Sequence, residues 1–398
     1  MSVTVYLRDL GIICALGNGQ RQVFLALLAG SREGMKTQPS AQGPFTVGIP
    51  PAVNDDLPAC FENRLNRLLA AACNQIRPSV ERLVKQYGAH RVAVVIGSTD
   101  NGSEQSQAAL ESFKKTGSFP AGYEFSRQEA FHSAEFVRHY LGLSGLACAV
   151  STACTSGAKA VITARHFLTI GAADAVVAGG GDIVSPSVLF GFHSLEAVDR
   201  DPCLPFSRHR KGINLGEGAA LFVIGGRPEK SPFIRLSGCG ESSDGHHITA
   251  PEPEGREASA AMAAALNEAG LHPEDIDYIN LHGTGTDLND RMESKATARI
   301  FPGNPPASST KALVGHTLGA AGAIELGFCW LLLTQENGQG LLPPHVWDGA
   351  YEEGIPRLNL VESGGTTDRL RTCMSNSYAF GGCNVSLVIS REDENGGP

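Results

Sequence analysis

Apolar and polar positions along this chain follow two spacings. Short apolar runs at 91 to 97, 146 to 150, 174 to 179 and 276 to 281 read as strands. Between them, apolar positions of helical period at 155 to 169, 256 to 269 and 316 to 334 predict helices, the second ended by Gly270 with Pro273 close behind. Strands alternating with helices in this way predict an α/β fold built in layers.

The pattern also repeats. Cys154-Thr-Ser-Gly-Ala158 and His316-Thr-Leu-Gly-Ala320 share Thr, Gly and Ala, with His316 lying 162 positions after Cys154. Gly216 to Ile224 resembles Gly381 to Ile389 at a separation of 165, nearly the same register. A third pair, Val94 to Asp100 and Ile279 to Asp287, is offset by 186, which implies an insertion in the first half between about 100 and 145. Two duplicated halves are therefore expected, residues 1–230 carrying Cys154 and residues 231–398 carrying His282, Lys311 and His316. Their boundary falls in the turn-rich stretch from Gly225 to Pro232.

Length agrees with this division, since 398 residues exceed the usual limit of a single core. With 42% hydrophobic and 18% charged residues the composition is globular, and 32 basic against 41 acidic residues give a net charge of −9. That balance argues against general nucleic-acid binding. No run of 18 apolar residues occurs and no secretory leader is visible, so a cytoplasmic, non-membrane protein is expected. The ten cysteines contain no C-x-x-C pair, and no metal-ligand spacing appears.

Candidate chemistry gathers at strand and helix ends. Cys154 falls between a strand and a helix starting near Thr155, where the helix dipole is expected to stabilise a thiolate. His316 at a second helix start is expected to stay neutral, and His282 enters the turn Gly283-Thr-Gly-Thr286. Lys311 supplies a fixed charge or is a solvated surface lysine. Glu293 pairs with Lys311 or is a surface carboxylate. Phe380, before Gly381-Gly382, sits on a movable loop or in the core. Gly179-Gly-Gly-Asp182 lacks dinucleotide spacing, and His246-His247 lacks partners for zinc.

With these residues in hand, the chain resembles the β-ketoacyl-acyl-carrier-protein synthases. The likeness rests on Thr152-Ala-Cys-Thr-Ser-Gly157, His282-Gly-Thr-Gly-Thr286 with Glu293, Lys311-x-x-x-Gly-His-x-x-Gly-Ala-Ala-Gly322 and Asn376-Ser-Tyr-Ala-Phe-Gly-Gly-Cys-Asn384. The resemblance implies a thiolase-like fold, two duplicated βαβαβ halves layered α-β-α-β-α. It also implies decarboxylative condensation of an acyl group on Cys154 with a malonyl extender. By the same resemblance His282 and His316 stabilise the enolate, Lys311 and Glu293 organise them, and the N–H groups of Cys154 and Phe380 form an oxyanion hole. Thr284 and Thr286 contact phosphopantetheine, Phe380 acts as a gate, and Asp244 to Thr249 forms the loop that moves with it. No bound cofactor is implied beyond the phosphopantetheine of an acyl carrier protein. The carrier, being acidic, is expected to dock on Arg64, Arg67, Arg208, Arg210 and Lys211.

Three positions depart from the family pattern: Ala379, Cys383 and His246. The run Asp100 to Ser106 is polar where relatives carry a larger apolar residue, which points to an acyl chain other than a plain saturated one, such as an aryl or polyene chain. Thiolase is a rival reading, with Cys383 as its second cysteine, though the surroundings Cys-x-Gly-x-Gly and Gly-His-Pro are lacking. A non-catalytic chain-length or scaffold subunit is another, opposed by the presence of Cys154 and both histidines. Pairing as a homodimer or a heterodimer is expected, with contacts in the 100 to 145 insertion.

Overall fold

The apolar runs become strands in the outer parts of one large mixed sheet, the run at 146 to 150 at its edge. The computed structural model describes residues 4–392 except 41, 55, 101, 229, 230, 335, 336 and 338. Asn101 in the polar run, and Glu229 and Lys230 in the boundary segment, therefore lie outside the described residues. Ten strands carry the architecture: β1 (Tyr6–Cys14), β2 (Val92–Gly97), β3 (Ala147–Val150), β4 (Ala175–Asp182), β5 (Gly218–Gly225), β6 (Phe233–Ser243), β7 (Tyr278–Asn280), β8 (Ala307–Ser308), β9 (Thr372–Tyr378) and β10 (Cys383–Glu392).

Their order across the sheet is β8-β7-β9-β10-β6-β1-β5-β4-β2-β3. Read outward from the centre, each half runs first, fifth, fourth, second, third strand. The inner pairings are antiparallel and the outer ones parallel in both halves. An identical and unusual order on both sides is the signature of a duplicated unit. The halves meet where β1 pairs antiparallel with β6 at Tyr6 and Arg235.

Eight helices are relevant to the site: α1 (Arg64–Tyr87), α2 (Ser103–Thr116), α3 (His132–Tyr140), α4 (Ser156–Thr169), α5 (Pro186–Ser194), α6 (Arg256–Ala269), α7 (Asp287–Ile300) and α8 (Ala321–Thr334). Helix α1 escaped the strand-and-helix reading, although Leu65, Leu68, Leu69, Ile76, Val80 and Leu83 make one buried face of helical spacing. Its first turn is capped by Asn63, whose side chain accepts from the Asn66 N–H. Helix α1 covers the outside of the first half-sheet and α6 that of the second, while α4 and α8 lie between the two, giving the α-β-α-β-α layering. Helix α8 is buried from Ala321 to Leu333, as expected of a helix apolar on every side. The insertion carries α2 and α3.

The structure corrects the register of the repeat. Ala153 and Leu318 both take left-handed backbone with φ of 52°, and α4 and α8 each begin three residues later. The equivalent of Cys154 is therefore Gly319, at the separation of 165 that also relates Ile224 to Ile389. His316 stands three residues upstream of it. Matching letters had aligned Cys154 with His316, but the repeated object is the strained turn and not the side chains around it.

Candidate active site

Strand β3 ends at Val150, and the left-handed turn at Ala153 swings Cys154 to the mouth of α4. There the residue is 7% exposed, its sulfur faced by the backbone N–H groups of Phe380 and of Cys154 itself. The expected thiolate is not found. Burial pushes the thiol up to about 12, outweighing the nearby Lys311 charge and the two N–H groups, while Asp182 acts in the same direction as burial. At neutral pH Cys154 is therefore held as a neutral thiol.

His282 follows β7, and its position is fixed from behind. Glu293 on α7 accepts the N–H of His282 at 2.7 Å and that of Gly283 at 2.6 Å, so this carboxyl holds the turn and does not pair with Lys311. Lys311 instead donates to Glu325 of α8 at 2.5 Å and to the His282 carbonyl at 2.5 Å. It is 1% exposed, which removes the solvated-surface alternative. Its ammonium also lies 3.3 Å from His282 Nδ1. An ammonium has no lone pair, so Nδ1 must accept and Nε2 must carry the ring proton.

His316 reaches the same tautomer by another route. The Leu318 N–H donates to His316 Nδ1 at 3.2 Å, leaving the proton on Nε2. The two rings stand edge to face with centroids 5.3 Å apart. Burial first, and the Lys311 charge second, hold both well below the ordinary histidine pKa. Both imidazoles are thus neutral, and for His316, where neutrality was expected from a helix start, burial is the main cause.

Cys154, His282, His316, Thr284, Thr286, Asp244, Thr249 and Phe380 line one cavity of about 490 Å³. The Thr284 and Thr286 hydroxyls are 2.8 Å apart, and Asp290 holds their turn by accepting the N–H groups of Thr284 and Gly285. Phe380 is 37% exposed and leans on Phe192. Its hairpin is tied to the Asp244 to Thr249 loop, because Gly381 N–H donates to the Ile248 carbonyl and Asp244 N–H to the Gly382 carbonyl. His246 is exposed on that loop, and Ala379 closes the hairpin by donating to the Cys383 carbonyl. The Cys383 side chain turns away to Lys159 on α4 and does not line the cavity with Cys154. That removes the basis for a thiolase-like second cysteine.

The basic cluster does not stay together. Arg210 is buried, paired with Asp287 and Glu352 and donating to the carbonyls of Ser207 and Thr286, so it braces the threonine turn. Arg64 pairs with Glu217 and Glu104, and Arg67 with Glu62. Only Arg208 and Lys211 of the five are exposed. Glu325, Asp182 and Asp290 were missed by sequence reasoning. Glu325 left a readable signal as the single charge in the apolar run from Ala321 to Leu333. Asp182, at the end of β4, accepts from Thr99, Asp100 and Gly319, tying β2 to the turn before α8.

Family models agree with this geometry: the beta-ketoacyl synthase N-terminal domain matches residues 64–229 and the C-terminal domain residues 234–346. The chain belongs to the β-ketoacyl synthase family. It is 31% identical to nodulation protein E of Rhizobium leguminosarum bv. trifolii over 98% of this chain and 99% of that one. With the 3-oxoacyl-[acyl-carrier-protein] synthase 2 of Coxiella burnetii it shares 30% identity over 97% of this chain and 98% of that protein. A solved ketosynthase in complex with its chain length factor, from Xenorhabdus doucetiae, superposes with a TM-score of 0.91 at 38% identity, covering 98% of both chains. The activity is that of a 3-oxoacyl-acyl-carrier-protein synthase, an acyltransferase of fatty-acid or polyketide chain elongation. No helix among the described residues is long and apolar enough to cross a membrane.

Proposed function

We propose that Cys154 takes an acyl group from the phosphopantetheine thioester of an acyl carrier protein, and that His282 and His316 then drive its condensation with a malonyl extender. The observation that carries this reading is the shared tautomer, which gives a neutral Nε2–H donor to each of two rings lining the cavity that Cys154 also lines. In the first step the thiol adds to the thioester carbonyl, and the oxyanion is met by the N–H groups of Cys154 and Phe380. The carrier thiol leaves with the proton that Cys154 gives up. In the second step loss of carbon dioxide from the malonyl thioester leaves an enolate whose oxygen accepts from both imidazoles. Its carbon attacks the acyl-cysteine carbonyl and expels the Cys154 sulfur as thiolate, which takes a proton from solvent, while the β-ketoacyl product stays on the carrier. Neutral donors suit this charge because neither imidazole has to be held as a buried cation beforehand.

Lys311 and Glu325 position His282, and Glu293 fixes its backbone. Thr284 and Thr286 fit the pantetheine arm, with Phe380 and the Asp244 to Thr249 loop as the gate. The halves 1–230 and 231–398 are the folding units we assign. The exposed apolar side chains of the insertion, Leu110, Phe113, Phe119 and Phe125, support pairing with a second ketosynthase-like chain. An aryl or polyene acyl group is the substrate we favour, because Ser103 and Ser106 of the polar run border a groove beside α5.

Mass spectrometry after incubation with a panel of acylated carriers tests the reading. Cys154 should gain the acyl mass, most readily from aryl or polyene carriers. The variants His282→Ala and His316→Ala should still be acylated while condensation drops by about 10² to 10³. Acylation elsewhere than on Cys154, or condensation that survives both histidine changes, would defeat it.

A further inference from the structure

One buried carboxyl takes no part in the steps above. Asp182 ends β4 and is 0% exposed. Its Oδ2 accepts the Gly319 N–H at 2.6 Å, the Thr99 N–H at 3.0 Å and the Thr99 hydroxyl at 2.6 Å. Its Oδ1 accepts the Asp100 N–H at 3.0 Å and the Ser98 hydroxyl at 3.3 Å. A carboxylate offers about four lone-pair directions, so these donors saturate it and make it a rigid node between the end of β2 and the turn before α8.

The turn it holds also decides His316. Leu318 takes left-handed backbone with φ of 52°, and its N–H is the donor that fixes His316 Nδ1. The next N–H along the chain, that of Gly319, is the one Asp182 accepts. Contact there is direct, since a Cβ added to Gly319 would stand 2.7 Å from Asp182 Oδ2 and 2.8 Å from the Thr99 nitrogen. A carboxyl of the first half thus reaches a histidine of the second through one turn.

The duplication puts the same position to another use. Asp182 lies opposite Gly218 and Ala379 opposite Cys383, and Gly218 and Cys383 are again 165 apart. Ala379 is therefore the counterpart of Asp182, as Cys154 is of Gly319. Beyond Ala379 the N–H of Phe380 faces the Cys154 sulfur, whereas at Asp182 a side-chain oxygen receives the Gly319 N–H. One copy of the crossing serves the nucleophile, and the other anchors the turn beside His316.

We propose that Asp182 is a positioning residue for His316, holding the Leu318 turn through Gly319 so that the imidazole presents its Nε2 proton to the enolate. This rests on the role of His316 proposed above. Loss of the carboxylate slows decarboxylation of the extender, which needs His316, and spares acylation of Cys154, which does not. Acylation even gains, because the charge of Asp182 acts to keep the Cys154 thiol protonated. A general loosening of the fold would slow both steps.

The test runs at pH 8, above the value of about 7 to which burial lifts the Asp182 carboxyl. Two rates are followed in wild type, Asp182→Asn and Asp182→Ala: acylation of Cys154 by a butanoyl carrier, read by mass spectrometry, and carbon dioxide release from a malonyl carrier added to the acylated enzyme. Asp182→Asn keeps the shape with an uncharged acceptor, and should release carbon dioxide about 3- to 10-fold more slowly while acylating at least as fast as wild type. Asp182→Ala, with no acceptor, should lose about tenfold or more in the same rate. Carbon dioxide release at the wild-type rate in Asp182→Asn, or an equal loss of both rates, overturns the proposal, and this holds even where Asp182→Ala does not fold. If wild type is not acylated, or if His316→Ala releases carbon dioxide as fast as wild type, the underlying reading fails instead.

Discussion

At the scale of single residues, burial decides the state of Cys154, both histidines and Glu293. It raises the thiol of Cys154, lowers both imidazoles, and lifts the carboxyl of Glu293 to about 8 against the N–H groups of Gly283 and His282. The last shift has a thermodynamic consequence. A folded-state pKa above the unfolded one means that the native chain holds a proton the unfolded chain has released. The associated stability is complete below about 4.5 and drains away as the pH rises toward 8. Melting temperatures measured from pH 5 to 8.5 should fall with rising pH, and less steeply in Glu293→Gln, where that proton is gone. Equal slopes in the two proteins would refute the assignment. Sequence located Cys154, His282 and His316 because strand and helix ends mark them out. It could not pair Lys311 with Glu325, since that choice depends on which face of α8 looks toward His282.

At the scale of elements, α4 and α8 cross where a glycine of each faces an alanine of the other. A Cβ on Gly157 would stand 2.9 Å from the Gly319 carbonyl and from Ala323, and one on Gly322 would stand 2.8 Å from Ala158. These two glycines are also 165 apart, so the close crossing obeys the register set by Ala153 and Leu318. Gly157→Val should therefore cost about 1–3 kcal/mol through overpacking. It should also slow acylation, because the same turn carries Cys154. Urea unfolding reads the first effect as a lower midpoint at unchanged slope, and a midpoint equal to wild type would show that the crossing yields freely. The helices themselves were legible from apolar spacing, and α6 matched to the residue. Their registration across the duplication was not, because φ at Ala153 and Leu318 leaves no trace in the identity of an alanine or a leucine.

At the scale of the whole molecule, duplication produces one sheet folded about two central helices, and it brings a cysteine from one half against histidines from the other. The strand order shows this more clearly than the sequence does, since only short segments still match. Net charge of −9 makes the approach of an acidic carrier unfavourable over most of the surface, so local cations must steer it. Sequence reasoning counted five, because charge can be read from letters while commitment to a partner cannot. Arg210 is spent on the threonine turn, and Arg64 and Arg67 face carboxylates of their own chain. Arg208 and Lys211 remain on the surface, and Lys211 borders the cavity mouth beside Thr286 and Asp287, with only a 3.7 Å pairing to exposed Asp201. Reversing both, Arg208→Glu with Lys211→Glu, should raise KM for the carrier about 5- to 30-fold, leave kcat nearly unchanged and weaken the salt dependence of KM. Arg210→Glu should act differently, lowering the melting temperature by burying a second carboxylate beside Asp290 and removing the cation that braces the threonine turn. Steady-state kinetics at two ionic strengths, with a melting curve for each variant, separate the outcomes. A double reversal that leaves KM alone would move the docking surface elsewhere on the molecule.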